Sequence, residues 1–169
     1  RLMAGDVSVP LIGAANGAAV GGGLELLLGC DLIVASGDAR FGLPEVKRGL
    51  FPGGRGTFLL LRVPLGLALE MLLTGDLVDA PRAYEMGLVN SVVAPDAVVD
   101  TAVSLAERIA ANGPLGVAAV REIARLVLVD TDKANERQRH WQKVVFSSED
   151  AQEGARAFVE KRAPDWKGR

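Results

Sequence analysis

The segment Asn16-Gly17-Ala18-Ala19-Val20-Gly21-Gly22-Gly23-Leu24-Glu25 constrains this chain more than any other, because it joins two apolar elements through three consecutive glycines. The apolar run Val9 to Ala15 predicts a buried strand, and Leu24 to Leu28 predicts a helix. Glycine loses more backbone freedom on ordering than any other residue. A triplet at such a turn therefore marks a place where side chains are excluded and something approaches the main chain closely. A neighbouring strand packed on a tight loop would meet that description, and so would a ligand. Gly21, Gly22 and Gly23 stand at the mouth of the helix, where the first N–H groups lack intrahelical acceptors and together carry roughly +0.5 charge. Such a turn suits a carbonyl oxygen that becomes negative. Glu25 sharpens the expectation: an acid in a segment otherwise all leucine is buried and requires a partner or a task.

A second carboxylate follows in Phe41-Gly42-Leu43-Pro44-Glu45-Val46, before the glycine-rich stretch Gly49-Leu50-Phe51-Pro52-Gly53-Gly54-Arg55-Gly56-Thr57. Pro44 and the glycines predict a non-helical path that turns Glu45 toward the same cavity as Glu25. Taken alone, Glu45 suits a helix cap or a salt bridge; paired with Glu25 and an amide pocket, it suits acid/base catalysis.

Other chemistries find little support. The sequence holds no Gly-x-x-x-x-Gly-Lys-Ser/Thr, no complete Gly-x-Gly-x-x-Gly and no Gly-x-Ser-x-Gly. His140 is the sole histidine and lies in the polar run Asn135 to Gln142, so it reads as a surface residue, and neither a Ser-His-Asp triad nor a metal site is expected. The 19 basic and 21 acidic residues are nearly balanced, with no basic block for nucleic acid or an anionic membrane. The single Cys30 cannot form an internal disulfide and reads as a small buried residue, and no apolar run is long enough to span a bilayer, so a cytoplasmic location is expected. Asp31 reads as a structural hydrogen-bonding acid at a strand start, and Arg40 as the neutraliser of a nearby acid.

With about half its residues apolar, the chain can bury one sizeable core. Strand-like Leu32 to Ala35 and Leu88 to Val93 flank the apolar helix Gly66 to Leu73, so residues 1–94 read as an α/β core. Asp79 and Pro81 predict the start of a short helix carrying Tyr84, and Gly87 its stop. Residues 95–169 read as purely helical, with Ala97 to Ala111 and Leu115 to Asp130 separated by Asn112-Gly113-Pro114. Ser147-Ser148-Glu149-Asp150 caps a last helix, Ala151 to Arg162, whose Lys161 and Arg162 form an ordinary basic helix end.

Four segments in order resemble the crotonase superfamily, and within it the enoyl-CoA hydratases. They are Asn16 to Asp31 and Phe41 to Thr57, with both expected glutamates, Leu73 to Asp76 with Ala83 to Val89, and Glu153 to Arg162. The resemblance implies a crotonase-like ββα spiral core, corresponding to the C-terminal two thirds of the family's fold, followed by a helical trimerisation region. It also implies that a preceding segment, supplying a second oxyanion amide and most adenine contacts, is missing, so the chain is expected to be a fragment; Arg1 to Asp6 reads like the middle of a domain. Arg55, where a small residue is commoner, and Phe58-Leu59, where the family often has Gln-Arg, depart from the pattern and bear on the acyl pocket.

On this resemblance the reaction is hydration of a 2-trans-enoyl-CoA. The Gly22 amide holds the thioester oxygen, Glu45 acts as general acid toward Cα, Glu25 holds and activates the water that adds at Cβ, and Gly53 lines the water site. Gly21, Gly23 and Lys161 bind substrate, Lys161 by approaching the coenzyme A phosphates across subunits of a homotrimer or dimer of trimers, while Phe158 anchors the core. No cofactor is implied beyond the coenzyme A of the substrate. A double-bond isomerase of the same superfamily and a non-catalytic oligomeric scaffold are the alternatives.

Overall fold

A computed structural model describes residues 1–3 and 7–169. The expected opening segment Arg1 to Asp6 therefore lies partly outside the described residues, at Ala4, Gly5 and Asp6. The chain is α/β and divides into two compact units, residues 1–105 and 106–169.

The first unit is built on two small sheets. In one, β1 (Ile12–Ala15), β3 (Leu32–Ser36) and β6 (Ser91–Val93) run parallel, with Ile12 beside Leu32 and Val34 beside Ser91. In the other, β2 (Ala19–Val20) pairs parallel with β4 (Arg40–Gly42), which pairs antiparallel with β5 (Val78–Asp79). Parallel partners need a crossover. Helix α1 (Gly22–Gly29) lies in the connection between β1 and β3, so the glycine turn stands at the end of β2 and the start of α1. Asp31 takes its expected structural role: its carboxylate accepts from Leu11 N–H at 2.8 Å, at the start of β3. Cys30 is only partly buried.

Leu24, Ile33, Phe41, Leu43, Leu59 and Leu88 are fully buried in one core. Helix α2 (Leu65–Thr74) turns Ala68 and Met71 inward and stops at Gly75, whose φ of 65° is left-handed. Asp79 caps α3 (Ala80–Glu85) through the Arg82 N–H at 2.9 Å, with Pro81 in the first turn. The non-helical path expected around Glu45 is corrected: Pro44–Arg48 form a short 3₁₀ helix. Proline lacks a donor that the first helical turn does not use, so it opens this turn instead of preventing it. Arg40 also departs from expectation, donating to the Ala39 carbonyl at 3.1 Å and to no acid among the described residues.

Helix α4 (Val98–Ala110) contains the division between the two units, C-terminal to the change of pattern expected at residue 95. Its first turns belong to the sheet unit because Val98 and Ala102 bury against Val34 of β3.

In the second unit, α5 (Pro114–Val127) packs on α6 (Thr131–Phe146), and α7 (Glu149–Glu160) follows. Glu122 of α5 takes both the Arg137 guanidinium and, at 2.8 Å, the Trp141 indole N–H of α6. Ser148 caps α7 by accepting from Ala151 N–H at 3.0 Å. The C-terminal tail folds back on this helix. Asp150 accepts from the N–H groups of Lys167 at 2.7 Å and Gly168 at 2.9 Å, and Trp166 donates to the Ala111 carbonyl at 2.9 Å. Phe158 is corrected from a core anchor to an exposed side chain, at 85 %. Helix α7 directs Asp150, Ala157 and the Trp166 contact at Gly154 to one side, and a residue one step after Ala157 points about 100° away from it.

Candidate active site

The glycine turn places three amides at the start of α1. Gly21, with φ 57°, donates to the Gly42 carbonyl at 2.9 Å, and the Glu25 N–H closes the first helical bond on the Gly21 carbonyl at 3.0 Å. The N–H groups of Gly22, Gly23 and Leu24 lie between and have no acceptor among the described residues. Gly22 and Gly23 are exposed, and a Cβ at either would meet nothing within 4 Å. The helix start thus presents main-chain donors in open surroundings.

Glu25 stands one turn into α1, next to fully buried Leu24, and is itself only 6 % exposed. Its Oε1 accepts from the Gly56 N–H at 2.8 Å, while Oε2 accepts from no described residue. A Cβ added at Gly54 would overlap Oε2, and one added at Gly56 would stand 3.1 Å from Oε1. The loop after Glu45 therefore wraps the Glu25 carboxylate closely: a Cβ at Gly54 would push the carboxylate aside, and one at Gly56 would also overlap Pro52.

Glu45 enters from the 3₁₀ turn Pro44–Arg48. A Cβ at Gly21 would stand 3.1 Å from its Oε1, so the carboxylate lies against the residue that begins the helix carrying Glu25. Its Oε2 is buried and has no hydrogen-bond partner among the described residues. The large majority of buried side-chain polar atoms find a partner, so this carboxylate oxygen is available to a group outside the described residues. The structure thus brings Gly21, Gly22, Gly23, Glu25 and Glu45 to one helix start.

Gly53 has a different neighbourhood: a Cβ there would meet only Phe51. Gly54 and Gly56, which touch Glu25, were not singled out by the sequence. Their signal was the spacing of glycines around Arg55, legible only once the loop is known to close over a carboxylate. Lys161 belongs to the second unit, where it ends α7 in a left-handed conformation with φ 54° and is exposed.

Arg55 has φ 91° and ψ 11°, a left-handed backbone that costs a non-glycine residue of order 1–3 kcal/mol. Its guanidinium carbon lies 4.2 Å from the centroid of the Phe58 ring, a cation–π distance. The loop is held by the Phe58 N–H, which donates to the Arg55 carbonyl at 2.9 Å.

The model of the enoyl-CoA hydratase/isomerase family matches residues 2–169. The chain is 42 % identical over 164 residues to the 2,3-dehydroadipyl-CoA hydratase of Escherichia coli, covering 95 % of this chain and 64 % of that protein. It is 42 % identical over 171 residues to the carnitinyl-CoA dehydratase of Citrobacter koseri, covering 97 % and 65 %. Among solved structures, an enoyl-CoA hydratase of Mycobacterium tuberculosis superposes with a TM-score of 0.89 at 48 % identity, covering 95 % of this chain and 64 % of that one. The fold is therefore crotonase-like, and the chain spans just under two thirds of the length of these relatives.

Proposed function

Because the chain belongs to the enoyl-CoA hydratase/isomerase family, we propose that it serves as an enoyl-CoA hydratase, adding water to a 2-trans-enoyl-CoA thioester to give the 3-hydroxyacyl-CoA. The observation that carries this reading is the buried, unpartnered Oε2 of Glu45 beside the helix start that also bears Glu25.

In this mechanism the Gly22 N–H, with Gly21 and Gly23 shaping the turn, receives the thioester oxygen. Negative charge grows there as the enolate forms, and one such donor is worth roughly 2.7–4 kcal/mol in the transition state. Glu25, fixed through Oε1 by the Gly56 N–H, turns its other oxygen to the water that adds at Cβ and takes that water's proton. Glu45 Oε2 delivers the proton to Cα, with Gly53 beside the water. Dehydration runs the same steps backward. No cofactor beyond the substrate's coenzyme A enters.

The same proposal includes a homotrimer or dimer of trimers, supported by the outward Phe158 and Val159 of α7, 85 % and 78 % exposed. Lys161, at the end of that helix, would reach coenzyme A phosphates as a cation.

A double-bond isomerase is the second reading, since Glu45 Oε2 alone would suffice to shuttle a proton. The experiment is loss of the conjugated double bond of crotonyl-CoA, using protein expressed from its complete coding sequence. A hydratase forms 3-hydroxybutyryl-CoA and loses roughly 10²–10⁴ in kcat in both Glu25→Gln and Glu45→Gln. An isomerase leaves crotonyl-CoA unhydrated and survives Glu25→Gln, and failure to bind coenzyme A thioesters at all points to a scaffold.

A further inference from the structure

The 3₁₀ turn Pro44–Arg48 that carries Glu45 buries no residue of its own. Its bonds from the Gly49 and Leu50 N–H groups to the Val46 and Glu45 carbonyls shape the turn but do not place it. Helix α2 packs against it, and the contact falls at the corner where that helix ends, Gly75-Asp76-Leu77. A Cβ added at Gly75 would stand 3.1 Å from Pro44 Cα and 3.2 Å from Val46 Cγ2, the two residues on either side of Glu45. On the outer side, Lys47 Nζ donates to Asp76 Oδ1 at 2.6 Å, across 29 positions of sequence. That bond holds the Asp76 carboxyl below its ordinary range, so both partners are charged at neutral pH. The corner is tied to α2 in turn: Asp76 N–H donates to Thr74 Oγ1 at 3.1 Å, and Thr74 donates to the Glu70 carbonyl at 2.7 Å.

The same corner reaches the other half of the site. A Cβ at Gly42 would overlap Leu77 and stand 3.1 Å from the Asp76 carbonyl oxygen. The Gly42 carbonyl accepts from the Gly21 N–H at 2.9 Å, which begins the glycine turn. One short segment therefore abuts both the strand end that holds the glycine turn and the turn that carries Glu45. The separation of thioester oxygen and Cα is set by the substrate, so the Gly22 amide and the Glu45 carboxylate must be held at a matching spacing.

We propose that residues 75–77, latched by the Lys47–Asp76 pair, are the positioning element for Glu45 and set its carboxylate relative to the Gly22 amide. This rests on the hydratase reading of the same site. An exposed ion pair adds little to stability, so the latch acts on the rate far more than on the fold.

The test measures kcat and KM for hydration of crotonyl-CoA, beside the thermal midpoint, with protein expressed from its complete coding sequence. Asp76→Asn and Lys47→Met should each lower kcat roughly three- to tenfold with KM and midpoint nearly unchanged, part of the hundredfold that a misplacement of about 1 Å can cost. Exchanging the charges, Lys47→Asp with Asp76→Lys, should recover most of the loss. Gly75→Ala presses on Pro44 and Val46 directly and should lower kcat further; the exposed pair still carries the test should that variant fold poorly. In a Glu45→Gln background no carboxylate remains to be placed, so Asp76→Asn should leave the residual rate unchanged.

An equal loss from Asp76→Asn in both backgrounds overturns the proposal, because a merely structural role predicts it. An unchanged kcat in both single variants overturns it too, as does a raised KM confined to Lys47→Met, which would place Lys47 on the coenzyme A. In each of those cases a wild type that hydrates crotonyl-CoA keeps the hydratase reading. Absence of hydration by the wild type overturns that reading and this proposal together.

Discussion

The main-chain N–H of Gly56 donates to Oε1 of Glu25 at 2.8 Å, although the two residues stand 31 positions apart in sequence. The helix brings Glu25 to the site, but the loop decides how its carboxylate is turned. One oxygen is occupied by the bond, and the other is thereby aimed.

Gly54→Ala tests that division of labour. Its Cβ would overlap Glu25 Oε2, the far end of a side chain that can swing aside, so the protein should fold with its melting temperature little changed. The displaced carboxylate should lower the hydration kcat about tenfold to a hundredfold, since small misplacements of a reacting group are expensive. Measurement of kcat beside the thermal midpoint checks it; an unchanged rate would mean that the loop does not orient Glu25.

Acid should loosen the C-terminal tail. The Arg162 guanidinium, and next the Asp165 N–H, hold the Glu153 carboxyl down at about 2 from its ordinary 4.5. A depressed carboxyl pKa means that the folded form prefers the ionised acid. Its contribution is complete above about pH 4.5 and is lost as pH falls through about 2. Trp166 sits on the same tail, donating to Ala111, so its emission in a Trp141→Phe background should shift across that window. Glu153→Gln should abolish the shift; emission that stays flat in both proteins would contradict the assignment.

Exposure of Phe158 bears on assembly. A phenylalanine at 85 % and a valine at 78 % on consecutive positions of α7 leave apolar surface that a second copy would cover. Phe158→Asp should therefore shift the mass measured by light scattering toward the single chain while the far-UV circular dichroism keeps its helical form. A mass unaffected by the substitution would remove α7 from the proposed trimer contact.

Much of the fold was legible in local pattern. The strands near Ile12, Leu32 and Ser91, the helices α2 to α5, the Asp79 and Ser148 caps and the glycine-bounded ends all follow from periodicity and capping chemistry. Helix α6 falls in the stretch that reads as helical, but its bounds were not legible, because Asn135 to Gln142 is polar almost throughout. Its signals were Asp130, whose carboxylate accepts from Lys133 N–H at 2.9 Å, and the sparse inward stripe Ala134, Arg137 and Trp141. Strands β2, β4 and β5, each of two or three residues, carry too few positions to show an alternation of their own.

By itself the sequence determined which groups are available: a glycine turn with helix-start amides, two glutamates among apolar neighbours, and a glycine-rich loop behind the second. Those follow from residue type and short-range spacing, which backbone sterics and capping read directly. Tertiary structure alone decided that Gly54 and Gly56 wrap Glu25, that Glu45 Oε2 is left without a described partner, that Arg55 rests on Phe58, and that Phe158 faces outward. The physical reason is range: whether a carboxylate is bonded, orphaned or aimed depends on atoms a few ångströms away in space, many of them supplied by distant segments.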